Sequence, residues 1–181
     1  IHDVEVFTNE ETVNVNAKNS HASPSPVIEP GRIYVHFGTY GTACLDTATG
    51  EKLWENRDLK LNHQEGPGSS PVLFENLLLV NCDGYDVRYV TALDKQTGKT
   101  VWKKDRPGGL NETGDINKAF CTPTIISWEG NPLMIDPGAQ TVVAYDPRDG
   151  NEIWWSKYKG FSVVPRPVVK DDIVFIATGY M

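Results

Sequence analysis

The chain has 181 residues, of which 39% are hydrophobic and 23% charged, a composition typical of a globular protein rather than of a collagen-like or disordered chain. Its 17 Lys and Arg against 24 Asp and Glu give a net charge of −7, which argues against a nucleic-acid partner held through its phosphates. No apolar run approaches the roughly 20 residues that a membrane-spanning helix needs, so we predict no membrane span.

Short strands separated by turns follow one another along the chain. The predicted strands at 32–37, 77–81, 132–135 and 173–177 are rich in Val, Ile, Leu and aromatic residues, and each follows a marker that ends in Pro. The markers are Ser25-Pro26, Ser70-Pro71, Thr122-Pro123 and Arg166-Pro167. No segment has a convincing helical pattern, so we predict an all-β chain.

A longer motif, Ala-x-Asp-x-x-(Thr/Asp)-Gly-x-x-x-Trp, repeats in step with these markers. It is nearly complete over 43–54 and 92–102, and over 144–154 it has Asp149 in place of Thr. Its tryptophans are 48 and 52 residues apart, close to the period of propeller blades. We predict that Asp and Gly form a hairpin turn and that Trp wedges between adjacent blades, its indole N–H reaching a neighbouring carbonyl. The predicted docking residues are Asp46, Gly50, Trp54, Asp94, Gly98, Trp102, Asp146, Gly150 and Trp154.

The repeat predicts a single propeller segment over residues 1–181. Its units are the end of a preceding blade with a loop, three blades, and the start of a further blade, at 1–20, 21–60, 61–106, 107–160 and 161–181. Residues 4–7 are predicted as the outer strand of the preceding blade. Because both ends cut through a blade, we expect an interior fragment that associates with itself or with a partner through its open edges.

With this motif the chain resembles the PQQ-like (pyrroloquinoline-quinone-like) β-propeller repeat family, whose tryptophan-docking motif it shares. The stretches 19–26 and 34–38 are similar to bacterial exported proteins described only as PQQ-binding-like propellers. The resemblance implies a partial ring of about three four-stranded blades with incomplete flanking blades. It also implies a periplasmic or secreted location.

The family includes quinoprotein alcohol and glucose dehydrogenases as well as a non-catalytic outer-membrane assembly lipoprotein that acts as a protein scaffold. The dehydrogenases resemble one another in an adjacent Cys-Cys disulfide over the quinone and an acid-plus-Asn calcium set, but Cys44, Cys82 and Cys121 are not neighbours. These cysteines are predicted to be buried free thiols, with one disulfide as the alternative.

We therefore expect a non-catalytic extracytoplasmic binding or protein-scaffolding module with no catalytic residue, no metal ligand and no cofactor. The alternative is part of a quinoprotein oxidoreductase that uses PQQ and calcium and whose active-site residues lie outside this chain. A third hypothesis is the sensor domain of a membrane kinase.

Function is expected at the channel mouth, where the loops before the Pro markers meet. The mixture of polar and charged groups there suits a protein partner or a small anionic or sugar-like ligand. His63 with Glu65 could supply a base and a metal ligand, and Cys121 could be a nucleophile only beside a channel histidine. The candidate contact residues are His21, Ser23, His63, Glu65, Ser69, Lys118, Cys121, Ser162 and Arg166.

Overall fold

The computed structural model describes residues 1–8 and 13–179, which form three four-stranded antiparallel sheets and a two-stranded hairpin. Blade 1 contains β1 (Val27–Glu29), β2 (Arg32–His36), β3 (Thr42–Asp46) and β4 (Lys52–Asn56). Blade 2 contains β5 (Val72–Phe74), β6 (Leu77–Asp83), β7 (Arg88–Asp94) and β8 (Thr100–Asp105). Blade 3 contains β9 (Thr124–Trp128), β10 (Asn131–Pro137), β11 (Thr141–Tyr145) and β12 (Glu152–Lys157), and the hairpin contains β13 (Val168–Lys170) and β14 (Ile173–Phe175).

Within each blade the strands pair in chain order. Two 3₁₀ helices, Gly38–Tyr40 and Gly114–Asn117, are the helical elements of the described residues. The all-β prediction and the partial propeller of three four-stranded blades are therefore confirmed. The first and last predicted units extend in part, at 9–12 and 180–181, outside the described residues.

Strand β6 of blade 2 has apolar side chains on both faces because blades pack on both sides of it. Side chains alternate along a strand, so Leu78 and Val80 of β6 enter the core shared with blade 1. Leu77 and Leu79 enter the core shared with blade 3. This explains why β6 begins with four consecutive apolar residues, 77–80, whereas strands that face water on one side alternate apolar with polar residues.

The Asp-to-Gly turns join the third and fourth strands of each blade. In blade 1, Asp46 Oδ1 accepts hydrogen bonds from the amides of Ala48 and Thr49 at 2.7 and 2.8 Å. Gly50, with φ 78°, donates its N–H to the Asp46 carbonyl at 2.9 Å. Asp94 with Gly98 and Asp146 with Gly150 repeat these backbone bonds. Glycine fits here because the positive φ carries no penalty without a Cβ.

Trp54 and Trp102 lie at the contacts between blades. Trp54 donates its indole N–H to the Lys95 carbonyl of blade 2 at 3.0 Å, and Trp102 donates to the Pro147 carbonyl of blade 3 at 3.2 Å. A Cβ added to Gly98 would lie 2.4 Å from the Trp54 ring. The turn glycine of one blade therefore also makes room for the tryptophan of the blade before it.

Trp154 has a different environment although it occupies the same place in blade 3. Its exposed fraction is 38%, against 8% for Trp54 and Trp102. The neighbouring hairpin β13–β14 provides the first two strands of a further unit. Since the described residues after β14 contain no Asp-to-Gly turn, this ring has no docking surface like that of Trp54.

Residues 1–8 form no strand, so the strand predicted at 4–7 is wrong. The reason is that no described neighbouring strand offers them a hydrogen-bonding ladder. They nevertheless lie against blade 1, where a Cβ on Gly50 would be 3.0 Å from the His2 ring and 3.1 Å from Val4. His2 and Val4 thus lie against Gly50 as Trp54 lies against Gly98 and Trp102 against Gly150.

The three cysteines are all free and buried in the structure, as the sequence predicted. Cys44 and Cys82 both belong to the core between blades 1 and 2. No helix within the described residues has the length and apolar character needed to cross a membrane.

Candidate functional site

The antiparallel order of the strands brings the turns after β2, β6 and β10 to the same edge as the connections between blades. We call this edge the upper face. Seven of the nine predicted contact residues belong to these connections, and His21 and Ser23 belong to the segment that leads into β1. Ser23 and Arg166 are exposed, and His21, Glu65 and Ser162 are half-buried. The remaining four, His63, Ser69, Lys118 and Cys121, are buried.

A small cavity lies under the upper face between blades 1 and 2, and we call it the polar chamber. Its volume is about 20 Å³. Gly38 makes it possible, since a Cβ there would lie 1.7 Å from the His63 ring. The polar side chains that line the chamber are His36, His63, Ser69, Asn81 and Asp83.

Both chamber histidines are neutral and hydrogen-bonded. His63 Nε2 accepts the Thr39 amide at 2.8 Å, so its ring proton is on Nδ1. His36 Nδ1 lies 2.8 Å from Thr42 Oγ1. Burial lowers the pKa of each histidine to about 4. His36 is therefore a partnered strand histidine, and the Nε2 of His63 is not free to act as a base or a metal ligand.

A buried ion network borders the chamber. Arg106 binds Asp83 through two hydrogen bonds, from Nε at 2.6 Å and from Nη2 at 2.7 Å. Arg106 Nη2 also lies 2.9 Å from Asp136 Oδ2, as an ion pair without hydrogen-bond alignment. Asn81 Nδ2 donates to the other Asp136 oxygen at 2.6 Å. The four side chains connect blade 2 to blade 3.

The charges of this network depend on each other because water is excluded from them. Burial raises the pKa of Asp136 to about 6, although the Arg106 charge opposes the rise. Despite its own burial, Arg106 has a pKa well above its ordinary value because Asp136 and Asp83 lie beside it. Arg88 adds a second buried cation and donates to the Gly109 carbonyl at 2.7 Å. The negative charges of two carboxylates and the positive charges of two guanidinium groups are thus equal in number within this buried region.

Sequence analysis missed this network. A signal was present: Asp136 interrupts an apolar strand after Met134 and Ile135, and a carboxylate in such a position requires a partner. The partner could not be identified from spacing, because Arg106 follows the outer strand of another blade.

Lys118 links three of the connections between blades. Its ammonium group donates to Asp115 at 2.6 Å and to Gln64 at 2.7 Å, and it lies 3.4 Å from a Glu65 oxygen. Its carbonyl accepts the Ser162 amide at 2.7 Å. Since Lys118 is 3% exposed, its charge holds loops together rather than facing an incoming ligand.

A wider space lies above the chamber, and we call it the vestibule. Its volume is about 390 Å³, and Pro67, Gly68 and Phe120 line both spaces. On one side it is bounded by residues 16–23. There Asn19 Nδ2 donates to the Glu65 carbonyl at 2.8 Å and thereby fixes the chain across the second connection.

The Pro markers line a third space, the inner groove, of about 620 Å³. Hydroxyl groups connect its blades: the Ser25 amide donates to Ser70 Oγ and the Ser70 amide to Thr122 Oγ1, each at 2.9 Å. Arg166 occupies the corresponding position in the last unit and is exposed, with its Nε donating to Thr124 Oγ1 at 3.0 Å. The groove therefore presents a cation beside a row of engaged hydroxyls.

Cys121 is unsuited to nucleophilic attack. Its thiol is directed at the Pro165 carbonyl, with Sγ 3.2 Å from the oxygen. Burial raises its pKa to about 12, so the reactive thiolate is scarce at neutral pH. The described residues also contain no group of three or more His, Cys, Asp and Glu placed to hold a metal ion.

The chamber histidines should make the chain less stable in acid. Their folded pKa values, about 4, lie below the usual 6.5, so the unfolded state binds more protons and stability falls as pH drops from 6.5 to 4. Asp136 has the opposite effect: because its pKa is raised in the folded state, that state binds the proton first, and stability increases as the pH falls below about 6. We therefore expect His63→Gln, which still offers an acceptor to Thr39 but does not titrate, to lose less stability than wild type over this range. Urea unfolding at pH 7.0, 5.5 and 4.5 measures the free energy of unfolding of both proteins. An equal loss in wild type and His63→Gln between pH 7.0 and pH 4.5 would contradict the prediction.

The family model described as outer membrane protein assembly factor BamB (PQQ_2) matches residues 5–181. The chain belongs to this BamB-like family of PQQ propellers. No curated protein matches it.

Solved structures share the fold of this BamB-like chain. BamB from Moraxella catarrhalis is 16% identical with a TM-score of 0.59, over 82% of this chain and 44% of that one. A quinohemoprotein alcohol dehydrogenase from Comamonas testosteroni is 20% identical with a TM-score of 0.59, over 75% of this chain and 21% of that one. A europium-containing methanol dehydrogenase has a TM-score of 0.58 at 15% identity, over 78% and 32% of the two chains. The chain thus spans less than half the length of these structures.

The residues of this BamB-like chain do not fit the quinone site that the resemblance implies for its dehydrogenase members. That site needs two adjacent cysteines, but Cys44, Cys82 and Cys121 are free and lie far apart in the sequence. Asp136, which Asn81 binds, and Asp83 are both committed to Arg106.

Proposed function

We propose that this chain is part of a non-catalytic, extracytoplasmic propeller that binds a protein partner. The observation that carries the proposal is that the reactive side chains on the described upper face are already hydrogen-bonded to other groups of the protein. His63 accepts a backbone amide, Lys118 binds three side chains, and the thiol of Cys121 is directed at a carbonyl. A catalytic site needs such groups free to approach a substrate, whereas a scaffold needs a rigid surface.

The surface proposed for contact is the inner groove together with the exposed Arg166. Arginine is enriched in protein interfaces because its planar head forms several hydrogen bonds at once. Ile28, with an exposed fraction of 68%, adds apolar area to the same groove. An extracytoplasmic location accords with a family described as an outer membrane protein assembly factor.

Photo-crosslinking tests the proposed surface. A crosslinking amino acid replaces Arg166 or, as the control, Gln96, which is exposed in the turn on the opposite edge of blade 2. In a bacterial cell-envelope extract we expect one discrete protein adduct from position 166 and none from position 96. Equal labelling from both positions would contradict the proposal.

An activity assay separates the scaffold from the oxidoreductase. The purified chain is incubated with PQQ, Ca²⁺, a primary alcohol and an electron-accepting dye. We expect no dye reduction above that of the protein-free mixture. Dye reduction that depends on the quinone, the calcium and the protein would instead favour a quinoprotein oxidoreductase.

A further inference from the structure

The polar chamber and the vestibule are neighbouring spaces that have Pro67, Gly68 and Phe120 in common. A cavity needs roughly 10–15 Å³ to accept a water-sized group, so the chamber, at about 20 Å³, has room for one. The vestibule, at about 390 Å³, falls in the usual range for small-molecule sites. A molecule in the vestibule would reach the chamber by passing these three shared residues.

Asn81 supplies a hydrogen-bond acceptor at the chamber. Its Nδ2 donates to the Cys121 carbonyl at 3.0 Å and to the Asp136 carboxylate at 2.6 Å, which fixes the orientation of the amide. The remaining atom, Oδ1, is buried and has no hydrogen-bond partner in the protein. An unpartnered buried acceptor costs about 1–3 kcal/mol, and a donor group from a ligand would remove that cost.

His63 supplies a donor to the same space. Since its Nε2 accepts the Thr39 amide, the proton of the neutral ring is on Nδ1. Ser69, 8% exposed, lines the chamber with a hydroxyl that can either donate or accept. The chamber therefore offers both kinds of hydrogen-bonding group.

This combination distinguishes between three kinds of ligand group. An ammonium group only donates, so it could satisfy Asn81 Oδ1 but would leave the His63 N–H without an acceptor. A carboxylate only accepts and would face Asn81 Oδ1 and the Asp83 carboxylate. A hydroxyl group donates and accepts at once, so it satisfies Asn81 and His63 together.

The vestibule suits the carbon skeleton of such a ligand. Phe120 and Pro67 give it apolar walls, and Val164 is 61% exposed at its edge. The polar residues that line it are Asn16, Lys18, Asn19, Ser23 and Glu65, and its two charged groups are of opposite sign. Apolar walls with a few placed polar groups are typical of small-molecule sites.

We propose that the chamber and the vestibule bind a neutral polyhydroxyl compound, a sugar or a polyol. One hydroxyl enters the chamber, donates to Asn81 Oδ1 and accepts from His63 Nδ1–H and from the Ser69 hydroxyl, while the carbon skeleton lies against Phe120 and Pro67. This site is separate from the inner groove and needs neither a protein partner nor a reaction, so it goes beyond the function proposed above.

Ligand-observed NMR and calorimetry test the proposal on the whole chain with four probes. These are glycerol, myo-inositol, methylammonium and acetate. We expect saturable binding of glycerol or myo-inositol and none of the two ions. Binding of an ion in preference to both polyols, or of no probe at all, would overturn the proposal.

Substitutions locate the binding in the chamber. Ala119→Val fills the chamber, which Ala119 lines, and Ser69→Ala removes its hydroxyl with little change of shape. We expect each to weaken polyol binding about tenfold, the effect of one lost hydrogen bond. The matched control Ser25→Ala removes a hydroxyl from the inner groove and should leave the affinity unchanged. If Ala119→Val does not fold, Ser69→Ala alone tests whether the polyol binds in the chamber. Unchanged polyol affinity in Ser69→Ala would refute that location.

Discussion

Replacing Arg106 with Met is expected to destabilise the chain by about 3–5 kcal/mol at pH 7, the usual cost of breaking a buried ion pair by removing one partner. The side chain is fully buried and binds both Asp83 and Asp136. Without it the two carboxylates remain buried and lose the cation that binds both of them, and Asn81 neutralises neither. Since a domain is stable by only about 5–15 kcal/mol, this substitution should have one of the largest effects in the molecule.

The loss measured for Arg106→Met should shrink in acid, because protonation removes the unpaired charges. Urea unfolding at pH 7 and pH 4.5 measures this, with Arg148→Met as the control. Arg148 pairs with Asp146 at the surface, where such pairs contribute little. If Arg106→Met does not fold, Arg106→Lys keeps the charge and should show an intermediate loss. Equal losses for the Arg106 and Arg148 variants would refute the importance of the network.

Trp102→Ala should destabilise the chain by about 3–5 kcal/mol, the range for removing a large buried aromatic side chain. Trp102 packs with Met134 and Val143 of blade 3 and donates its indole N–H to Pro147. Its loss opens a cavity between blades 2 and 3 and removes a hydrogen bond that joins them. Urea unfolding monitored by far-UV circular dichroism measures the change.

Trp154→Ala is the matched control, since Trp154 has the same position in the repeat but is 38% exposed rather than 8%. We expect it to cost less than half as much as Trp102→Ala. Equal losses would show that the tryptophan acts within its own blade rather than between blades.

The architecture was predictable because its determinants are local and repeated. The Asp46 and Gly50 turn needs only a capping carboxylate and a positive φ, and both are visible in the sequence. Strand β6 was recognisable from its apolar run. The strand predicted at 4–7 failed because pairing depends on a neighbour that the segment itself does not determine.

The candidate site was harder to predict because it depends on contacts between distant loops. His63 lies over Gly38, and Lys118 reaches back to Gln64. Sequence analysis identified His63 and Lys118 as polar groups in the correct connections. It had no means of showing that the fold would bury both and use their hydrogen bonds internally. Nothing in the sequence shows that the carbonyl oxygen of Asn81 would be left without a hydrogen-bond partner in the protein.

Each repeat contains both halves of a joint: an indole at one side and, at the other, a glycine hollow that accepts the indole of the repeat before it. An additional copy of the repeat would therefore bring its own tryptophan and its own turn glycine. Such a chain can lengthen by tandem duplication without inventing a new interface, and the number of repeats can change while the joint stays the same.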